Sequence, residues 1–151
     1  MSAEEVKAIC RRICQEWHNE GSSGVLDEHY ASDLVLHRPP YPDIEGLEGF
    51  KQWGTDFRNA FPDAAFTIDE IIVEGETVVA RLTYRGTNTG PMGPDFPPTG
   101  KWVSGSGCIV WHWEGGKVVE EWDFWDELGF WQQIGCQLIP PQEPARQVGR
   151  Q

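Results

Sequence analysis

The spacing of apolar side chains changes once along this chain, from the period of a helix to the period of a strand. Up to residue 60, apolar residues recur three or four positions apart, whereas between residues 66 and 125 they alternate with polar ones. Such patterns are typical of amphipathic helices and of half-buried strands. The order predicts an α+β fold in which N-terminal helices pack on one face of an antiparallel sheet.

The same patterns place the element boundaries. Ser2 to Glu5 fits a capping box that opens a helix over 3–19, and a second long helix is predicted over 47–60. Gly115 and Gly116 form a hairpin turn between the last two strands. Short helical segments are expected over 25–30 and 128–134. The predicted strands are 34–37, 66–73, 77–88, 102–113 and 118–125.

The length of 151 residues suits one domain with a sizeable core. No repeat and no long linker divides the chain, so we predict a single domain over 1–135. The remaining segment, 136–151, contains Pro140, Pro141 and Pro144 and is expected to form a loose tail.

Charge limits the classes of partner. Twelve basic residues against twenty-four acidic ones give a net charge of -12. This balance argues against nucleic acid and against an anionic membrane surface, both of which bind basic proteins. No window approaches the ~20 apolar residues of a membrane span, and no basic segment followed by an apolar run opens the chain. A cytoplasmic protein is therefore expected.

Aromatic residues are abundant, with eight Trp, seven Phe and three Tyr. Two interpretations stay open, a bulky core and a pocket for a flat or hydrophobic ligand. Metal and cofactor motifs are missing: Cys10 and Cys14 lie one helical turn apart, but no nearby Cys or His completes a ligand set. We therefore expect no cofactor and no metal.

The segment 120–127 has five carboxylates within eight residues of an aromatic strand. Alternation places Glu121, Asp123 and Trp125 on one face and Glu120, Trp122, Phe124 and Asp126 on the other. One face must meet the core, so at least one carboxylate should point inward, where burial raises its pKa and suits it to proton transfer. The alternative is a strand edge whose acids are solvated.

His37 ends a short apolar strand directly before two prolines. A histidine there can line a cavity and share a proton, or it can have a structural role by bonding a nearby carbonyl group. The sequence alone does not decide between these roles.

Several stretches, in order along the chain, resemble the SnoaL-like polyketide cyclase family, which shares the nuclear-transport-factor-2 fold. They extend over most of residues 1–135 and are these: 37–40, 48–51, 58–63, 78–81, 86–90, 97–101, 116–123 and 132–135. The resemblance implies a cone-shaped barrel made by a strongly curved sheet, with a central pocket and helices across its open side. It also implies a homodimer formed through the sheet.

The characterised cyclases of this family close a ring by an intramolecular aldol reaction without metal or cofactor. One aspartate is their general acid/base, and the resemblance places it at Asp123, with Asp126 as the second choice. These cyclases carry a histidine opposite that aspartate on the preceding strand. Here that neighbourhood, 107–110, reads Gly-Cys-Ile-Val.

The resulting hypothesis is a cofactor-independent cyclase, isomerase or lyase acting on a small hydrophobic or aromatic carbonyl compound. Asp123 would move a proton α to the carbonyl, and His37 would assist from across the pocket. The apolar walls would be Trp17, Trp53, Phe57 and Trp125. The alternatives are a dehydratase, isomerase or epoxide hydrolase of the same fold, a non-catalytic carrier of a hydrophobic molecule, and a dimerisation module.

Overall fold

The computed structural model describes residues 1–142. Its helices are α1 (Ala3–Ile13), α2 (Gly24–His29), α3 (Leu47–Ala60) and α4 (Glu127–Gln133), with a π-helical segment, Cys14–Asn19, continuing α1. Its strands are β1 (Tyr30–His37), β2 (Ile44–Glu45), β3 (Ala65–Glu74), β4 (Thr77–Thr87), β5 (Trp102–Glu114) and β6 (Lys117–Trp125). The α+β prediction is confirmed, and α3 has the predicted bounds.

One six-stranded sheet has the order β2-β1-β6-β5-β4-β3. Two details differ from the expectation. Strand β1 pairs with β6 in parallel, although β3, β4 and β5 lie between them in sequence. The sheet is therefore mixed rather than wholly antiparallel. Within the described residues β2 and β3 are free edges, so the curved sheet is open rather than a closed barrel.

Local sequence explains how the first helix begins and how it ends. Ser2 accepts a hydrogen bond from the amide of Glu5 at 3.2 Å, and the Glu5 carboxylate accepts one from the Ser2 amide at 2.6 Å. This is the predicted capping box. After Ile13 the helix widens into the π-helical segment, a change of geometry that sequence spacing does not indicate and that is frequent at functional sites.

Alternation in β4 divides the sheet into an inner and an outer face. Val78, Ala80, Leu82 and Tyr84 are buried on the inner face, and Arg81, Thr83 and Arg85 are exposed on the outer face. The inner face packs against α1, α2 and α3 in the main core, which includes Phe50 and Trp111. The helices therefore cover one face, as predicted.

No helix within residues 1–142 is both long enough and apolar enough to cross a bilayer. Residues 136–142 have no helix or strand. The rest of the predicted tail, 143–151, lies outside the described residues, so the division at residue 135 stays a prediction.

Candidate active site

A cavity of about 670 Å³ opens between α3, the π-helical segment, α4 and the inner face of the sheet. The four aromatic side chains predicted as walls all line it: Trp17, Trp53, Phe57 and Trp125. Two glycines make room for them. A methyl group on Gly54 would collide with the Trp17 indole, and one on Gly107, which pairs with Trp125, would collide with that indole.

The inner face of β6 carries two buried acids. Glu121 is 0% exposed and Asp123 is 1% exposed, and Asp123 lines the cavity. Their neighbour in the alternation, Trp125, lines it as well. The predicted face of β6 thus brings an acidic group into an aromatic chamber, and we refer to Glu121 and Asp123 as the carboxyl pair.

Hydrogen bonds fix only one side of the carboxyl pair. Oε2 of Glu121 accepts from the hydroxyl of Tyr30 at 2.6 Å and from Nε1 of Trp111 at 2.8 Å. Oε1 of Glu121 and both carboxylate oxygens of Asp123 are sealed from solvent without a hydrogen-bond donor among residues 1–142. Neighbouring oxygens of this kind can bond to each other only when one of the two groups carries a proton.

Burial sets the protonation of this pair. Desolvation raises the pKa of Glu121 well above its usual range, and the charge of Asp123 raises it further. Desolvation also raises the pKa of Asp123, to about 6, while Glu121, Trp125 and Arg38 oppose that rise. Both raised pKa values favour a proton shared within the pair over two adjacent charges, and Asp123 is the member that lines the cavity.

Arg38 brings a positive charge to the cavity wall. Its guanidinium carbon lies 4.7 Å from the ring centre of Tyr41 and 4.9 Å from that of Trp53. The Tyr41 hydroxyl donates to Glu127 at 2.9 Å and accepts from Nε1 of Trp131 at 3.1 Å, which holds the first of these rings in place.

His37 lies elsewhere than expected. Leu36 is buried on the inner face, so His37 points to the outer face, where its Nε2 lies 2.7 Å from Glu120 and its Nδ1 lies 3.0 Å from Asp43. The ring stacks on Trp122 at 4.8 Å. This placement corrects the expected orientation of His37 towards the pocket: it does not share the cavity with Asp123.

Asp126 caps a helix. It is exposed, precedes the first residue of α4, and its carboxylate accepts from the amide of Gly129 at 2.9 Å. It does not line the cavity. Opposite Asp123 on β5 lies Ile109, so the position of the cyclase histidine is apolar here.

Sequence reasoning did not single out three cavity residues: His18, Arg38 and Arg58. The Nε2 of His18 is sealed without a hydrogen-bond partner among residues 1–142, and burial lowers the pKa of this histidine to about 4, so it is neutral at pH 7. Arg58 donates to the backbone carbonyl groups of Trp17, His18 and Asn19, which end the π-helical segment. The π-helical geometry carries no clear sequence signal.

The cavity's composition also limits what it can hold. Within residues 1–142 no group of three or more His, Cys, Asp or Glu side chains is arranged to hold a metal ion. The lining is mostly aromatic and apolar, with a few polar groups, as in sites for small hydrophobic molecules.

Comparison with solved structures gives the same fold. TsrD from Streptomyces laurentii is 26% identical, with a TM-score of 0.78 over 89% of this chain and 98% of that chain. A candidate polyketide cyclase from Acidithiobacillus ferrooxidans is 32% identical, with a TM-score of 0.76 over 89% of this chain and 97% of that chain. A candidate SnoaL-like polyketide cyclase from Jannaschia sp. CCS1 is 23% identical, with a TM-score of 0.82 over 93% of this chain and 98% of that chain, and this likeness shows the fold alone.

A search of curated proteins found no match. The family model of the SnoaL-like polyketide cyclases, in contrast, matches residues 8–134, which include every helix and strand that forms the cavity. With this match and the shared fold, the chain belongs to the SnoaL-like polyketide cyclase family.

Proposed function

We propose that this protein is a cofactor-independent cyclase. It transfers a proton from a carbon atom of a small hydrophobic, polyketide-like carbonyl compound. Asp123 is the general base that removes a proton α to a carbonyl, and the same carboxyl group returns it to oxygen after ring closure. The observation that carries the proposal is a buried carboxylate on the wall of an aromatic cavity, with no hydrogen-bond donor among residues 1–142.

The chemistry of the site supports this role. A carboxylate in water is a weak base for a carbon acid, whereas burial raises the pKa of Asp123 to about 6, close to physiological pH. Such positioned acid–base groups contribute on the order of 10²–10⁴ in rate. Glu121, fixed by Tyr30 and Trp111, is a positioning residue that holds the proton of the carboxyl pair while Asp123 is the base.

The non-catalytic alternatives are less favoured by the same observations. A carrier of a hydrophobic molecule has no need of a buried acid on its cavity wall, because burial of that acid costs stability. A dimerisation module is expected to fill the cavity with its own Trp and Phe side chains, whereas about 670 Å³ stays open here.

A proton-exchange experiment tests the proposal without knowledge of the natural substrate. Aromatic β-diketones in deuterated buffer would be followed by NMR for loss of the α-proton signal. We expect the protein to accelerate exchange, with a rate that rises through pH 6, and Asp123→Asn to lose at least 10²-fold of the acceleration. Asp126→Asn is the matched control, since asparagine also caps helices. Equal exchange in Asp123→Asn and wild type would refute the assignment.

We also propose a homodimer formed through the outer face of the sheet. Trp102 and Phe124 are 59% and 46% exposed there, and Ile72 on β3 is 57% exposed. Their alternation in register places all three on the face that the helices leave open. Large exposed apolar side chains on one face favour association.

A further inference from the structure

The Arg38 guanidinium is held on the cavity wall without an anionic partner. Within residues 1–142 it makes no ion pair and donates no hydrogen bond. The guanidinium lies over the faces of the Tyr41 and Trp53 rings. Burial lowers the pKa of Arg38 from its usual value, while the nearby charges of Tyr41, Asp123 and Glu127 oppose that change. An arginine still stays protonated in any protein site.

The other cavity arginine cannot take this role. Arg58 uses its donors on the carbonyl groups of Trp17, His18 and Asn19, so its hydrogen bonds serve the fold. The Arg38 guanidinium, in contrast, donates no hydrogen bond within the described residues, and its contacts with two aromatic rings fix its plane. Its two ring contacts orient the guanidinium before any ligand enters, which is the arrangement that stabilises a developing charge best.

Arg38 and Asp123 act on the same cavity from two different elements, the segment after β1 and strand β6. Removal of an α-proton leaves negative charge on the carbonyl oxygen, two bonds away from the carbon that loses the proton. A base and a hydrogen-bond donor that face one cavity can therefore act on the two ends of one enolate.

We propose that Arg38 binds the enolate oxygen that forms when Asp123 removes the α-proton, so that it is the electrophilic group of the reaction. This inference rests on the proposed function. In the step, the C–H bond breaks and the proton goes to the Asp123 carboxylate. The C–H electron pair becomes the new C=C bond, and the carbonyl π pair moves to oxygen, which accepts a hydrogen bond from Arg38. No electron donor or acceptor is needed.

A phenolate is a stable analogue of this enolate, since both are planar and carry their charge on one oxygen. The probe is 4-nitrophenol, whose ionised form absorbs visible light, so its affinity and its protonation on the protein can be read in one titration. We expect Asp123→Asn, which imitates the protonated base of the enolate state, to bind the phenolate in preference to the neutral phenol, whereas the Asp123 carboxylate of wild type repels it. The arginine variants are therefore made in the Asp123→Asn background, where Arg38→Met should bind the phenolate at least ten-fold more weakly, with little change for the neutral form.

Controls separate this effect from loss of fold. In the same Asp123→Asn background, Arg85→Met, on the exposed face of β4, should leave phenolate affinity unchanged. Arg38→Lys, which keeps the charge but loses the planar donor fork, should give an affinity between those of the arginine and the methionine. If Arg38→Met unfolds by circular dichroism, Arg38→Gln replaces it, because it keeps polar bulk on the wall.

Three results in the Asp123→Asn background would overturn the inference: no phenolate binding, equal phenolate affinity with and without Arg38→Met, or tighter binding of benzoate than of phenolate. The last would make Arg38 a carboxylate site. Since phenolate binding needs no turnover, a protein that binds phenolate through Arg38 but exchanges no α-proton would refute the proposed function alone. Where exchange occurs, Arg38→Met should lower kcat by about 10²–10³ with a smaller effect on KM.

Discussion

Asp123 owes its proposed role to its surroundings rather than to any motif. The sequence predicted that Glu121, Asp123 and Trp125 share one face of a strand, and they do. It could not choose the inner face, because both faces of β6 mix acids with aromatic rings. Only the packing of β6 against the rest of the core resolves that choice.

The position of His37 was within reach of the same argument. Leu34 and Leu36 are the apolar residues of β1 and both are fully buried, so alternation alone turns His37 outward. Its place before two prolines left a cavity-lining role and a structural role open, and the alternation of β1 was not used to choose between them.

Asp123→Asn should make the protein more stable at neutral pH. Asp123 has a pKa raised to about 6 when folded, so the folded state binds the proton more tightly than the unfolded state. The free energy of unfolding therefore falls as pH rises from about 4 to about 6, by about 3 kcal/mol for a shift of about two units. Asparagine removes this loss, so thermal melts should show a higher Tm for the variant at pH 7.

The same comparison at pH 3 supplies the internal control, since below the unfolded pKa of about 3.9 both proteins carry a neutral side chain at position 123. We expect the difference in Tm to shrink there. A variant that melts below wild type at pH 7 would mean that the carboxylate is stabilised in the fold, and a gap independent of pH would mean that folding does not shift the pKa of Asp123.

Tyr30→Phe should destabilise the protein at all pH values where it is folded. The variant removes the hydroxyl that donates to Glu121 at 2.6 Å and accepts from Trp111 at 3.0 Å, and it leaves the ring in place. A buried group left with fewer partners costs about 1–3 kcal/mol, measurable by urea unfolding. Tyr41→Phe, at the half-buried cavity rim, is the comparison variant and should lose less. No loss in Tyr30→Phe would show that the contact contributes nothing.

At the scale of elements, sequence periodicity predicted helices and strands only where the pattern is local. The long helix α3 and strands β3 to β6 repeat their pattern over many residues, and their predicted bounds lie close to those observed. Strand β2 is two residues long and has no period to detect. The parallel pairing of β1 with β6 joins residues more than eighty positions apart, which no local pattern encodes.

The contact between α3 and the π-helical segment depends on Gly54. A methyl group there would meet the Trp17 indole, so Gly54→Ala should push this ring into the cavity or the helix away from it. Overpacking of this kind costs about 1–3 kcal/mol. The free energy of unfolding, measured in urea, and the affinity for 4-nitrophenol should both fall.

Gly24→Ala is the matched control for this helix substitution, because a methyl group at Gly24 in α2 meets no atom within 4 Å. It should be neutral or stabilising. Wild-type stability and affinity in Gly54→Ala would show that the wall formed by Trp17 tolerates displacement.

At the scale of the whole molecule, the sheet has one face covered by helices and one face open. The inner face closes over the cavity, and the outer face exposes Trp102 and Phe124. The sequence predicted this division in β4 from alternation. The volume of the cavity could not be predicted, because it depends on how far the curved sheet and α3 stand apart.

Phe124→Glu should weaken the proposed homodimer. A carboxylate at the centre of an apolar contact is desolvated on association, and such a change costs several kcal/mol of binding. Analytical ultracentrifugation over a range of concentrations should show a dimer for wild type and a shift to monomer for the variant. Leu138→Glu is the control, since Leu138 is 70% exposed but lies outside the sheet. A monomeric wild type would refute the dimer.

The proposed function depends on one buried acid that exchanges its proton near neutral pH. The most direct test is a carbon-13 NMR titration of the side-chain carboxyl groups, compared between wild type and Asp123→Asn. We expect one carboxyl signal that titrates near pH 6 and is missing in the variant, and a second signal, from Glu121, whose pKa lies well above its usual range. The proposed function would be contradicted if every carboxyl group titrated near 4, as in model peptides.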